Sequence, residues 1–596
     1  MKKVFRIAFL FICVLYAGCT RGICSTNELK TDTLIGKNSQ INANTIYIYI
    51  IKNSHTAASY DEAMAVACIQ GILNRDKPCI YVQSSSTNKT QLWLDIFSKD
   101  GRWLSGKKKV YVSSFDELMG LSLSKVKGII IWDPDVPASV NVATTLAGIS
   151  DGIVFSPEMA EKYKNKYGLK VLKDFRGQFT GKETGSKKND AYRWAIREYM
   201  DKGLCNPHRM CLNDDSYFTR KNGDLSYIVT RDWAVYGKCF VYDLSPWGDE
   251  KPKDDLNQPL GTDLETYKLL LQSLLNQTKG KTTTEVAGFF SFQKYSNVEG
   301  YASQHDPVPT EWENVYLISP YNCYQNTVAS GCFNQSFHSQ APQKSMKQEH
   351  HNLGSPKEGK TYIAILMADY DSTTPLYEFM MNNIWNDPKR GNIPLLWGIN
   401  PNLCETYPDI MQYIYSTRSS NDWFGADASC AGYFNPNRIN NENMPLFIEH
   451  NKKFYEQWDM TISPMVLDTN EPSKAVKDAF SQFSPDGFAT IVMNFHKGME
   501  SRSPDPQVWK GMPIMNLNNS ACNDGSDPEK VAFNMSNSIP KTSDTTPRYY
   551  FFRIIWVGPS KVIEAVKRLK ELRPDLDIEV LDPYNFFHYF KTTLNK

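Results

Sequence analysis

The sequence predicts an α/β protein with N-terminal doubly wound parallel α/β layers, followed by a C-terminal (β/α)8-type barrel whose closure is open to irregularity. Three observations predict it. From Thr45 onward, short β-branched runs alternate with helical stretches, the pattern of parallel strands joined by crossover helices. The C-terminal part then yields eight strand-like runs over about 240 residues, the size of a (β/α)8 barrel. Successive runs there end in polar clusters, and ligands of open α/β sheets and barrels sit at the carboxyl ends of strands.

In chain order, residues 1–24 read as an export signal with a lipobox and 25–44 as a polar tether. An N-terminal α/β domain follows over 45–185, a middle α/β region with long loops over 186–356, and the barrel over 357–596. Lys2, Lys3 and Arg6 precede an apolar run from Ile7 to Ala17 that is too short to span a bilayer. Leu15-Tyr-Ala-Gly-Cys19 is similar to a bacterial lipobox, which predicts an exported cell-envelope lipoprotein touching membrane only through a lipid on Cys19. The chain has 596 residues and 13 cysteines, scattered and without C-x-x-C spacing, so no zinc or redox framework is expected. Cys205 with Cys211 and Cys323 with Cys332 are candidate disulfides, with buried free thiols the alternative. The net charge of +1, with no basic run longer than Lys107-Lys108-Lys109, argues against a nucleic-acid partner.

Within the first layers, strands are expected at Thr45–Lys52, Cys79–Gln83, Lys109–Val112, Gly128–Trp132 and Gly152–Phe155. Helices are expected at Tyr60–Asn74, Gln91–Phe97 and Val140–Ile149. No G-x-G-x-x-G follows the first strand and no G-x-x-x-x-G-K-[ST] lies within residues 45–185, so these layers read as structural. In the middle region an aromatic-rich strand pair is expected near Tyr227–Leu244, an amphipathic helix at Asp263–Asn276 and a strand at Glu285–Phe292. Phe333–Gly359 reads as a long loop or lid.

The eight C-terminal runs are Tyr362–Ala368, Ile393–Ile399, Trp423–Ala426, Met460–Leu467, Phe488–Asn494, Met512–Met515, Tyr549–Val557 and Asp577–Leu581. Their ends offer Asp369 and Asp371, Asn400, Asp427 and Ser429, Asp468, His496 and Asp582. Side chains alternate along a strand, so Asp369 and Asp371 can point the same way. Such a ring of carboxylates suits general acid/base work on a polar substrate, and paired carboxyls are what glycoside hydrolysis uses. Asp369, Asp371 and Asp427 are therefore the catalytic candidates. Trp397, Asn400, Ser429, Tyr433, Asp468, His496 and Asp582 are candidates for substrate binding. In this C-terminal part no spaced histidine pair supplies metal ligands and no G-x-S-x-G elbow occurs, so no metal or cofactor is expected.

The segment Cys430-Ala-Gly432-Tyr433-Phe-Asn-Pro436 resembles the signature of the GxGYxYP family, whose glycoside hydrolase label rests on sugar-related context. Gln70–Arg75, Asn141–Ala147, Gly261–Asp263, Ala368–Ser372, Asp387–Gly391 and Pro394–Trp397 are similar to further family blocks. The chain departs from the signature at Cys430 and Asn435. The resemblance implies a carbohydrate substrate without naming a catalytic residue. The expected function is a glycoside hydrolase, with a non-catalytic glycan-binding lipoprotein as the alternative.

Overall fold

The computed structural model describes residues 41–595 apart from 226–227, 229, 296–304, 327–331, 350–352, 494–499, 522–526 and 542–543. Three parallel sheets lie between Thr45 and Asn326. The first holds β1 (Thr45–Ile51), β2 (Ile80–Ser84) and β3 (Lys108–Val112) in the order β2-β1-β3. The second holds β4 (Gly128–Ile131), β5 (Gly152–Phe155) and β6 (Val171–Asp174) in the order β5-β4-β6. The third holds β7 (Arg209–Leu212), β8 (Phe240–Tyr242), β9 (Thr284–Gly288) and β10 (Cys323–Asn326) in the order β10-β9-β7-β8.

The helix Ala57–Leu73 shows why these layers hold together. Thr56 and Ser59 form a capping box at its start, satisfying amide groups that a helix end leaves open. Most of its length is buried, because it packs against other elements on more than one side. At Gly71 a Cβ would stand 2.6 Å from the Asp232 carbonyl oxygen, so only glycine permits this helix crossing. Gln70 donates to Asn334 Oδ1 at 2.7 Å and Asn74 to Ser336 Oγ at 3.0 Å, tying the first layer to a segment over 260 residues away. Asn141 donates to the Tyr192 hydroxyl and the Asn213 carbonyl in the same way. These buried amides hold layers together.

Two middle-region expectations need correction. Where a strand pair was expected near Tyr227–Leu244, a helix forms over Arg231–Tyr236 and only β8 is a strand; Tyr227 itself lies outside the described residues. The 333–359 segment is no simple lid: Asn334, Gln335, Ser336, Phe337 and His338 are fully buried, with His338 Nδ1 2.7 Å from Asp409 Oδ2. Each of the nine described cysteines is a buried thiol and none is in a disulfide, Cys205, Cys211, Cys323 and Cys332 among them.

All eight expected C-terminal strands are present. They are β11 (Lys360–Ala368), β12 (Leu395–Gly398), β13 (Asp422–Gly425), β14 (Ile462–Asp468), β15 (Gly487–Val492), β17 (Met512–Asn516), β18 (Arg548–Ile555) and β19 (Asp577–Val580), with β16 (Gln507–Trp509) added as an antiparallel edge. They form two sheets, β13-β12-β11-β18 and β14-β15-β17-β16, and no continuous eight-stranded barrel closes among the described residues. The sheets touch at two isolated bridges, Asp427 with Met465 and Asn518 with Phe552. β18 occupies one whole edge of β11, so β12 and β19 share the other edge, β12 at its carboxyl half and β19 at its amino half. β19 is thus tucked below β12 and cannot serve as an eighth stave.

Candidate active site

β11 is buried on both faces and delivers its polar end where the chain leaves the sheet. Asp369 adopts φ +65°, a left-handed conformation that short polar side chains tolerate, and the turn starts there. Tyr370 turns into the core against Trp397, with ring centroids 5.6 Å apart. Its neighbours Asp369 and Asp371 stay half-buried. Arg553, near the end of the adjacent β18, donates from Nη2 to Asp369 Oδ1 at 2.5 Å, and Trp556 Nε1 donates to the Asp369 carbonyl oxygen at 2.8 Å. The Asp369 side chain keeps 26% of its surface open, enough for a ligand to reach it.

Asp371 receives the Ala428 amide at 3.4 Å. Burial, and then the charge of Asp369, push its carboxyl up to about 7, against the pull of backbone amides and Arg553. Asp427 lies deeper, fully buried, and neither of its oxygens meets a hydrogen-bond donor. Burial, then Asp371 and Asp369, hold it well above the usual carboxylate range, the state expected of a carboxyl without a partner. Gly398 makes its room, since a Cβ there would stand 2.2 Å from Asp427 Oδ2.

The loop after β13 seals this group against the middle region. Gly432 takes φ +101°, and a Cβ on it would stand 2.2 Å from the Tyr324 ring. Tyr433 exchanges both backbone hydrogen bonds with Gln325 of β10, each at 3.0 Å. The Ala431 amide donates to Asn451 Oδ1 at 2.9 Å, the Gly432 amide to Asn400 Oδ1 at 3.0 Å and the Asn435 amide to Ser319 Oγ at 2.9 Å. His450 Nε2 lies 2.7 Å from the Ala431 carbonyl, and burial lowers its imidazole to about 4, so the neutral ring donates.

Residues 359–591 match the family model described as "GxGYxYP putative glycoside hydrolase C-terminal domain", and residues 126–203 match the second domain of the GxGYxYP N-terminal part. The chain belongs to the GxGYxYP family. Among solved structures it is similar to a chain described as a "putative hydrolase" from Bacteroides thetaiotaomicron VPI-5482, at 15% identity and TM-score 0.66, covering 94% of this chain and 99% of that one. That likeness concerns the fold. Cwp8 from Clostridium difficile aligns over 40% of this chain and 48% of its own at 10% identity and TM-score 0.23, too weak to bear on either fold or function. No curated protein matches.

The GxGYxYP loop tolerates Cys430 and Asn435 because its contacts run through backbone groups of Ala431, Gly432, Tyr433 and Asn435. Other expected site residues land elsewhere. Trp397 is fully buried, its indole donating to Asp422 Oδ1 at 2.8 Å, and cannot stack on a sugar. Ser429 spends its hydroxyl on the Phe434 and Leu467 carbonyls and the Leu467 amide. The Asn400 amide group braces the loop through Ala428 and Gly432. Tyr433 is 5% exposed, yet its hydroxyl meets no partner, and burial, then the charges of Glu311 and Asp371, push it well up. Asp468 accepts the Asn437 and Thr469 amides, and burial pushes it up to about 7.

Asp582 caps the helix Pro583–Leu594 by accepting the Asn585 amide at 2.9 Å. Val580 is level with Ile363, so Asp582 stands about four residues, ~13 Å, short of the Asp369 end of the sheet. His496 lies outside the described residues. The residues that sequence reasoning missed are Arg553, Trp556 and Trp312, the last packed edge-on against Tyr433 at 6.1 Å. For Arg553 and Trp556 the one signal was their place near the end of the Tyr549–Val557 run.

Proposed function

We propose that the protein is a glycoside hydrolase in which Asp371 protonates the leaving glycosidic oxygen and Asp369, held by Arg553, acts as base or nucleophile. The observation that carries the reading is the split environment of the two carboxyls. Asp369 has a guanidinium at 2.5 Å, whereas Asp371 has only a long amide contact and a carboxyl pushed up to about 7. Groups kept apart in this way can serve as acid and base at the same pH. Asp427, fully enclosed and without a hydrogen-bond partner, cannot touch a substrate and takes no part in the proposed proton transfer. Trp312 and Trp556, both half-buried, take the aromatic part of the substrate-binding role expected of Trp397 and Tyr433. The two C-terminal sheets act as one barrel-like cup, joined at the Asp427–Met465 and Asn518–Phe552 bridges.

The reading includes export and lipidation at Cys19, a residue outside the described region, and among the described residues no helix is long and apolar enough to cross a membrane. A panel of glycans assayed for new reducing ends tests the activity. Release by the wild-type protein and its loss in Asp371→Asn support the reading. Binding without release, unchanged in that variant, would favour the non-catalytic glycan-binding protein.

A further inference from the structure

A second polar cluster lies at the carboxyl ends of the central sheet. β7 runs into Asp214 and Asp215, β8 into Asp243, and the turn Lys253–Asp255 brings Asp254 over them. One oxygen from each of Asp215, Asp243 and Asp254 lies within 4.8 Å of the others. Two buried lysines reach the cluster. Lys294 Nζ stands 2.6 Å from Asp243 Oδ1 and 3.2 Å from Asp254 Oδ2, and Lys188 Nζ stands 2.5 Å from Asp254 Oδ2 and 2.8 Å from Asp263 Oδ2.

The lysines engage one oxygen of each carboxylate they touch and leave the other. Asp254 Oδ1 meets no donor although the side chain is only 1% exposed. Asp243 Oδ2 receives only a 3.3 Å bond from the Asp215 amide, and Asp215 spends Oδ1 on the Tyr217 amide. Of the six neighbouring carboxyls, the two ammonium groups reach Asp243, Asp254 and Asp263 and not Asp214, Asp215 or Asp255. Buried charge without compensation costs several kcal/mol. A cavity of about 820 Å³ is lined by both Asp215 and Asp254 and by none of Asp369, Asp371 or Asp427, and it offers a way in. Ligands of parallel sheets bind at this end of the strands.

We propose that Asp215, Asp243 and Asp254 bind one hard divalent cation, calcium or magnesium, behind the cavity wall that Asp215 and Asp254 form. The all-oxygen donor set favours these ions over zinc. The cavity side of the ion is left for water or a polar ligand. The site is separate from the aspartates of β11 and β13 and does not depend on their role.

The test uses the full chain stripped with EDTA and dialysed, titrated calorimetrically with calcium and with magnesium in separate runs. The expected result is one ion per chain for at least one metal and a raised Tm in its presence. Asp254→Asn should weaken binding about 10-fold or more, because the ligand charge is reduced. Asp215→Asn, whose side chain touches no lysine, should do the same and covers the case in which Asp254→Asn misfolds. Asp371→Asn should bind as the wild type does. Absence of binding to the wild type, binding that survives both substitutions, or binding lost in Asp371→Asn would each overturn the proposal.

Discussion

Arg553 on β18 and Asp369 at the end of β11, 184 positions apart in sequence, meet at 2.5 Å between Nη2 and Oδ1. The same arginine opposes the upward push on Asp371 and Asp427. Arg553→Gln should therefore raise the Asp371 carboxyl further and shift the alkaline limb of the rate profile to higher pH. It should also lower kcat by about 10²-fold through loss of the charge that positions Asp369. The Trp556 bond to the Asp369 backbone stays, so the melting temperature should change little. A pH–rate profile of the variant checks this, and Arg553→Lys should recover part of the rate.

Tyr433 and Gly432 separate packing from chemistry within the GxGYxYP loop. Tyr433→Phe keeps the buried ring and removes a hydroxyl that has no partner, so stability should hold or rise slightly. If that hydroxyl serves the site, kcat falls while Tm does not. Gly432→Ala places a Cβ against Tyr324 in a left-handed conformation and should cost about 2 kcal/mol or more, lowering Tm by several degrees. Thermal melts and rates on both variants decide the two roles.

Asp468 links stability to pH. Its folded carboxyl is pushed up to about 7, against about 3.9 in an unfolded chain. The folded state therefore binds the extra proton between these values. Its stabilising contribution is complete below about pH 4 and is lost as pH rises through about 7. Asp468→Asn should flatten the fall in stability over that window by up to about 1.4 kcal/mol per pH unit, whatever its effect on absolute stability. Denaturant unfolding at several pH values measures the slope.

The parallel α/β layers, all eight C-terminal strands and the meeting of Asp369, Asp371 and Asp427 were legible because each rests on local pattern: apolar runs, their spacing and the polar residue that ends them. The closure of those strands was not. Nothing local says that β19 pairs with the amino half of β11, and that pairing is what turns Asp582 into a helix cap. Trp397 misled because β12 is buried on both faces, so alternation along the strand gives no inside or outside. The strand pair expected near Tyr227–Leu244 failed because its aromatics, such as Trp233, are core residues of a short helix. Arg553 escaped notice because its partner lies on a strand distant in sequence, which only the fold brings alongside.

The central claim is that Asp371 carries the proton used in glycosidic cleavage. The most direct measurement is the pH dependence of kcat/KM on a glycan the protein hydrolyses, for the wild type and for Asp371→Asn, because that ratio reports the free enzyme's essential groups. The account predicts a rate that falls as pH rises through about 7 in the wild type, where Asp371 loses its proton. It also predicts a rate lower by about 10²-fold or more in the folded variant, with that limb gone. An Asp371→Asn variant that keeps both its rate and its alkaline limb would contradict it.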